Sequence, residues 1–497
     1  MSAPTTPVAP SRRDRALTAL AVFALAFTLW VFLQRLAAVH ESAAIAPGTV
    51  QTTGCEEESM FSIWRAARGQ PVYLDPTQPP YGSAYFNWLF YAVYGAACEG
   101  SPDSKLVLVG RTVTATIALF AALGLGLCAA TLPKIAPLRA AGGAFAAFLF
   151  FGPLGGWWTV TLRPDIPGLA AEVLGIVCFL RWHHRRPLLA TVIAMLFFYV
   201  AWAFKPIVLG GPLAVGLFLL SHRCWRDAFI LAAGSAALWA LTLALGGAAY
   251  RTALFGTAVT NTFVARDSLS NFRHAAVCLA PLIVFLPSIF WTWRRERARQ
   301  TRSPAHDALH LAVIALVPVT VIFAAAAGKI GAGPNYFFAS ASLLTIAVIV
   351  GLFPLDFGRL PVALGLGLIV VLQLGLLAGR WGTLTLRPNA LELASRWQVF
   401  RELPEPRFSE DLRLNLPWLS PHSPPLVLAF NYRLFRGDGR AHADAGVGGM
   451  IERGEFASLL LQTSRGGIYD GGSLTRYRPH VSSQGFTGYL LAQPFAR

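Results

Sequence analysis

Apolar residues recur along the first 380 positions in runs of about the 20 residues that a helix needs to cross a bilayer. The runs fall at 16–38, 106–132, 137–158, 165–182, 187–204, 207–222, 226–247, 274–293, 308–327, 336–353 and 359–379. Each predicts a membrane-spanning α-helix, because a backbone in lipid must satisfy its own polar groups. The stretch 83–98 (SAYFNWLFYAVYGAAC) is apolar but short, carries Asn87, and has Trp and Tyr suited to an interfacial helix. Beyond residue 380 the long runs stop. Gly, Pro and charge increase there, and two strand-like runs, Leu426–Phe430 and Phe456–Gln462, flank a polar, helix-capable stretch. The pattern predicts a polytopic α-helical membrane protein with about 11 transmembrane helices over 1–380, a long outer loop over 40–105, and a small C-terminal α/β domain over 381–497.

Composition agrees. Of 497 residues, 55% are hydrophobic and 13% charged, about half the charge of soluble domains (~25%). Disorder and small disulfide scaffolds are excluded by the apolar content and the six cysteines. A net charge of +16 would suggest nucleic acid in a soluble protein, but no basic stripe with interleaved aromatics occurs in the polar tail. We expect no nucleic-acid partner; the bilayer is the partner that the composition implies.

Charge sets the sidedness. With 83–98 lying on the surface, one face holds Arg12, Arg13, Arg15, Lys134, Arg139, Arg181, Arg185, Arg186, Arg223, Arg226, five arginines in 294–302 and Arg359. These are sixteen basic residues against five acidic, while the opposite face has eleven against nine. Cytoplasmic loops carry the Lys/Arg excess, so the amino terminus is inside and the carboxyl terminus outside. A cleaved signal peptide ending near Ala44-Ile45-Ala46 is the alternative for residues 1–40. The first apolar run exceeds the usual 7–15 residues of such a core, which favours an uncleaved anchor.

Sidedness then brings unusual polar residues to one membrane surface: Glu56, Glu57 and Glu58, Tyr73 and Asp75, Arg163 and Asp165, Lys205, and the turn with Lys329, Asn335 and Tyr336. Taken singly they have ordinary readings. Three glutamates suit a solvated helix start, and Arg163 or Lys205 could snorkel. Arg111 lies within the second run, and Glu172 follows Asp165 by two turns, so both need interior partners. Taken together, cations at headgroup depth suit an amphiphile bearing a phosphate. If the phosphate leaves, those cations stabilise the developing charge, and a loop carboxylate serves as general base. No G-x-x-x-x-G-K-[ST] or helix-opening G-x-G-x-x-G is present, consistent with an already activated lipid-linked donor and equally with a passive transporter.

The order of these residues resembles a known family. An acidic group (Glu57-Glu58) precedes Ala66, Gly69, Pro71, Tyr73 and Asp75, followed by Arg163-Pro164-Asp165 and by Lys329-x-Gly331 with Asn335-Tyr336. Over residues 10–380 this is similar to the GT-C superfamily of membrane glycosyltransferases, in its protein O-mannosyltransferase and lipid A aminoarabinose transferase branches. The resemblance implies transfer of a sugar from a polyprenyl-phosphate donor to a cell-envelope acceptor at the periplasmic face of the bacterial inner membrane. The acidic residue of the first outer loop is then the base. Where the family shows Asp-Glu this chain has three glutamates. Spacing to Gly69 favours Glu57, with Glu56 and Glu58 beside it.

The expected mechanism is one inverting displacement. Arg163, Lys205, Lys329 and Arg111 hold the donor phosphate, Asp165 orients a donor hydroxyl or a cation, and Tyr73, Asp75, Asn335 and Tyr336 position substrate. A divalent cation near the carboxylates is compatible with this chemistry, although no His/Cys/Asp cluster has ligand spacing. Cys55 and Cys98 share the oxidising side and are candidates for a bridge. A flippase for a lipid-linked sugar and a noncatalytic subunit on the same scaffold are the competing readings.

Overall fold

A computed structural model of the protein describes residues 11–46, 50–54, 56–81, 84–131, 136–257, 262–298, 303–352, 357–379, 384–426, 432, 442–462, 474–483 and 485–492. Helix α1 (Arg12–Ile45) opens with a capping box: the Asp14 amide donates to Ser11 Oγ and the Ser11 amide to the Asp14 carboxylate. Two short helices follow, α2 (Glu56–Ala66) and α3 (Trp88–Cys98). The bundle continues through α4 (Leu106–Thr131), α5 (Ala136–Phe151), α6 (Asp165–Trp182), α7 (Pro187–Phe204), α8 (Gly210–Ser221), α9 (Trp225–Leu245) and α10 (Gly247–Arg251). Then come α11 (Ala265–Cys278), α12 (Ala280–Ile283), α13 (Leu286–Ala298), α14 (Pro304–Ala326), α15 (Phe338–Gly351) and α16 (Arg359–Leu377).

Every predicted apolar run contains a helix, and the stretch 83–98 yields the 11-residue α3. The run at 274–293 differs from expectation. The chain bends by 66° between α11 and the α12–α13 segment, because Pro281 has no amide to donate to the Val277 carbonyl and so cannot continue α11. The 137–158 run also divides: α5 ends at Phe151 and a 3-10 turn occupies Gly156–Val160. Among the described residues, seven helices, or eight with the bent pair, are long and apolar enough to cross a bilayer. Large apolar side chains such as Phe120, Phe229, Trp291 and Val317 point outward, as a lipid-facing surface requires and an aqueous one does not. The segment 334–351 is the most enclosed of these spans. This is a polytopic helical membrane fold.

The C-terminal part carries α17 (Arg387–Glu402), β1 (Arg407–Ser409), α18 (Gly446–Arg453), β2 (Ser458–Gln462), β3 (Tyr477–Ser483) and β4 (Phe486–Leu491). The sheet order is β1-β2-β4-β3, with β1 parallel to β2 and the other pairs antiparallel. The predicted run Phe456–Gln462 becomes β2; of Leu426–Phe430 only Leu426 is among the described residues.

Two contacts fasten this part to the first loop. Tyr81 is buried in the C-terminal core, edge-on to Tyr432 and His442, and the Ala443 amide donates to the Thr77 carbonyl at 3.0 Å. Phe61 of α2 packs against Leu416 and Leu419, flanked by Trp64, Trp397 and Trp418.

Candidate active site

Helix α2 is held by sterics before charge. Gly69, at φ +65°, ends it with a left-handed turn whose amide donates to the Ala66 carbonyl. Ala66 and Gly95 allow close approach to α3, since a Cβ on Gly95 would lie 2.7 Å from the Ala66 Cβ. The Ala66 and Gly69 of the sequence motif are therefore packing and turn residues at the end of α2, opposite the start that carries the glutamates.

At that start, Glu56 is fully buried and its carboxylate is enclosed by donors. Arg111 reaches it through Nε and an Nη at 2.9 and 2.7 Å, Thr52 through its amide and hydroxyl, and Leu162 through its amide at 2.9 Å. Arg111 also donates to the Val50 carbonyl at 2.6 Å. The pair ties the first loop to α4 and to the turn before α6. Arg111, expected near the donor phosphate, is engaged on Glu56.

Glu57 is placed differently. It is mostly buried and receives a hydrogen bond from Gln51. Burial pushes its carboxyl above the usual carboxylate range and the Glu56 charge adds to this; its own amide, Arg413 and Arg163 pull the other way. That environment suits a general base. Glu58 is also buried and acts on Tyr91 of α3, whose hydroxyl burial drives up.

The second assembly is built on Asp165, the first residue of α6. Its Oδ1 accepts from the Lys205 ammonium and from Asn335 Nδ2 (2.5 Å), and its Oδ2 from Arg163 Nε (3.3 Å). One carboxylate thus faces two cations, all buried or nearly so. Arg163 lies between the Trp158 and Phe86 rings, 4.8 and 5.0 Å from their centroids, and donates to the Gly54 carbonyl. Lys205 sits 5.7 Å from the Tyr336 centroid, and burial draws its ammonium below the usual range while Asp165 opposes this. Asn335 Oδ1 is buried with no hydrogen-bond partner. A narrow cavity of about 30 Å³ runs from Asp165, Lys205, Asn335 and Tyr336 to Glu172.

Arg163, Asp165, Lys205, Asn335 and Tyr336 therefore converge, and the Arg163 charge acts on Glu57. Of the other expected residues, Arg111 is taken up by Glu56, and Tyr73 and Asp75 are engaged on neighbouring groups. The backbone of Lys329 pairs with that of Phe263 in a short antiparallel bridge, in the turn that also carries Asn335 and Tyr336. Tyr73 donates to the Phe86 carbonyl and packs edge-on against Tyr91 and Tyr250. Asp75 is exposed and accepts from the amide and hydroxyl of Thr77, a local turn. The proposed Cys55–Cys98 bridge involves Cys55, which lies outside the described residues; Cys98 is buried with its Sγ 3.6 Å from the Leu106 carbonyl. Among the described residues no three His, Cys, Asp or Glu side chains are grouped to hold a metal ion.

Sequence reasoning missed several participants. Gln51 and Thr52 stand just before the glutamates, and their nearness was the available signal. For Glu172, which the sequence marked as needing an interior partner, what was missed is the partner itself: the Gly211 amide at 2.5 Å, at the start of α8, a backbone group with no side-chain signature. Arg413 and Asp411 belong to the tail, where no motif marked them.

No protein-family model matches the chain, and no curated protein matches it in sequence. Solved structures do match in fold. ArnT from Cupriavidus metallidurans in the apo state aligns at TM-score 0.57 and 16% identity, over 94% of this chain and 99% of that one. The same protein bound to undecaprenyl phosphate aligns at 0.59 and 15%, over 93% and 98%. The match covers nearly the whole length of both chains, so this chain shares the fold of those structures.

Proposed function

We propose that the protein is a membrane glycosyltransferase. It moves a sugar from a polyprenyl-phosphate donor to a cell-envelope acceptor, at the periplasmic face of the bacterial inner membrane. The observation that carries this reading is the convergence of Glu57 with the Arg163–Asp165–Lys205 cluster at one end of the bundle. The likeness to a structure that holds undecaprenyl phosphate supports the donor class. In this reading eleven spans run from an inside amino terminus to an outside carboxyl terminus, and residues 381–497 form the outer domain.

Glu57 takes the proton of the acceptor hydroxyl. The acceptor oxygen attacks the anomeric carbon as its bond to the phosphate oxygen breaks, and the electron pair leaves on the phosphate. Arg163 and Lys205 meet that charge, and Asp165 and Asn335 aim the cations. One displacement inverts the anomeric centre. Glu56 and Arg111 hold α2 in register rather than touching the donor.

Mass spectrometry of polyprenyl-phosphate sugars tests this in strains lacking the gene, rescued with wild type, or rescued with Glu57→Gln at equal expression. One lipid-linked sugar should accumulate in the deletion and in Glu57→Gln but not in the wild-type rescue. Wild-type behaviour of Glu57→Gln, with accumulation in the deletion, would instead indicate another base or a flippase.

A further inference from the structure

The turn 412–419 lies on the face of α2 that carries Glu57. Phe61, one helical turn beyond Glu57 and so on the same face, packs against Leu416 and Leu419. Arg413, at the start of that turn, is held as a fork: its Nε and an Nη each donate at 2.7 Å to the two Asp411 oxygens. Arg396 of α17 donates to the same carboxylate at 2.9 Å. Asp411 is buried, and its carboxyl lies below the usual range despite that burial because both arginines bond to it. Two cations thus share one acid. A guanidinium has five N–H donors, so the fork leaves three on Arg413. The charges of Arg413 and Glu57 act on each other across this interface.

We infer that the C-terminal segment supplies a positioning residue to the active site: Arg413, aimed by Asp411, keeps the Glu57 carboxylate ionised and ready to accept a proton. The inference rests on the reading of Glu57 as the base. The charged groups facing Glu57 are Glu56 on its own helix, which disfavours ionisation, and Arg163 and Arg413 from two other segments, which favour it. Gln51 adds a neutral donor. Arg163 already bonds Asp165, so Arg413 is the cation of this pair that is free of the Asp165 cluster. The tail is then part of the catalytic apparatus, and its seat on α2 sets the state of the base.

Labelling with dicyclohexylcarbodiimide, which reacts with protonated buried carboxyl groups, reads this without a substrate. The full-length protein in nanodiscs is labelled across a pH series and modification of Glu57 is resolved by tandem mass spectrometry. Arg413→Gln should move the labelling midpoint up by roughly one pH unit, as loss of a neighbouring opposite charge does, and Arg413→Lys should recover most of the shift. An unchanged midpoint in Arg413→Gln overturns the inference. Should that variant not fold, Asp411→Asn keeps both arginines and removes their counter-charge; the midpoint should then fall, and an unchanged value again overturns it. The lipid profile of Glu57→Gln separates the two claims. A wild-type profile there defeats the base reading, whereas an accumulating profile with an unmoved Arg413→Gln midpoint defeats this inference alone.

Discussion

Glu56 and Asp165 are both buried carboxylates at the same end of the helical bundle, and their surroundings differ in kind. Glu56 meets one arginine and a ring of neutral donors, so its charge is closed off within the protein. Asp165 meets two cations and an amide whose own oxygen is unpartnered, so positive charge is left over beside a cavity. Counting donors and charges, not the mere presence of acids and bases, separates a closed ion pair from a cluster with cations in excess.

Breaking the base should have the largest effect. Glu57→Gln should reduce transfer by roughly 10²–10⁴-fold, the usual contribution of a general base, with the purified protein still folded. Arg111→Met should act next, and on folding. Removing one partner of a buried ion pair costs ~3–5 kcal/mol, to be read as a lowered unfolding midpoint in detergent. The double variant Glu56→Gln/Arg111→Met should regain part of that loss. If Arg111→Met is stable but inactive, Glu56–Arg111 is not a lock and the contrast fails.

Lys205→Gln should leave stability closer to wild type and weaken donor use about 10–100-fold, the scale of a charge-assisted bond of roughly 1.5–3 kcal/mol. Acidification should sharpen the difference between the two glutamates. Because burial raises the Glu57 carboxyl, transfer should fall as pH drops through a point above the ordinary glutamate value of about 4.3. Arg413→Gln should move that limb to higher pH. The smallest effect belongs to Asp75→Asn, which keeps the local turn at Thr77; activity within about twofold is expected, and a large loss would place Asp75 in the site.

Much of this was legible from the chain. Each apolar run contains a helix because a span must be continuous and apolar, but α10 and most of α11 fall outside the runs, and the break at Leu279 was not read although Pro281 signals it. The convergence of Arg163, Asp165, Lys205 and Asn335 followed from charge-based sidedness. Which of Glu56 and Glu57 is closed off by an ion pair was not legible: adjacent residues on a helix differ by about 100° in direction, and Arg111 bonds Glu56. Tyr73 and Asp75 show the opposite failure, since a motif position does not reveal whether a hydroxyl or carboxylate is turned toward its own backbone. Arg413 was invisible because its meaning depends on a tertiary seat set by Phe61, Leu416 and Leu419.

Glu172 has a consequence for how the protein is made. Its carboxylate sits in the middle of α6 and accepts from the amide that begins α8, with Gly210 and Gly211 providing the room: a Cβ on Gly210 would lie 2.3 Å from the Ala339 Cβ and 3.1 Å from the Glu172 oxygen. Domains emerge from the ribosome amino end first, so in the proposed eleven-span topology α6 enters the bilayer before its partner exists. Until α7 and α8 follow, the nascent chain carries an unsatisfied acid in lipid, and the Glu172–Gly211 bond records that the three helices have arrived. Chains ending just after α7 should be retained by the insertion machinery and degraded, whereas chains ending after α8 should persist.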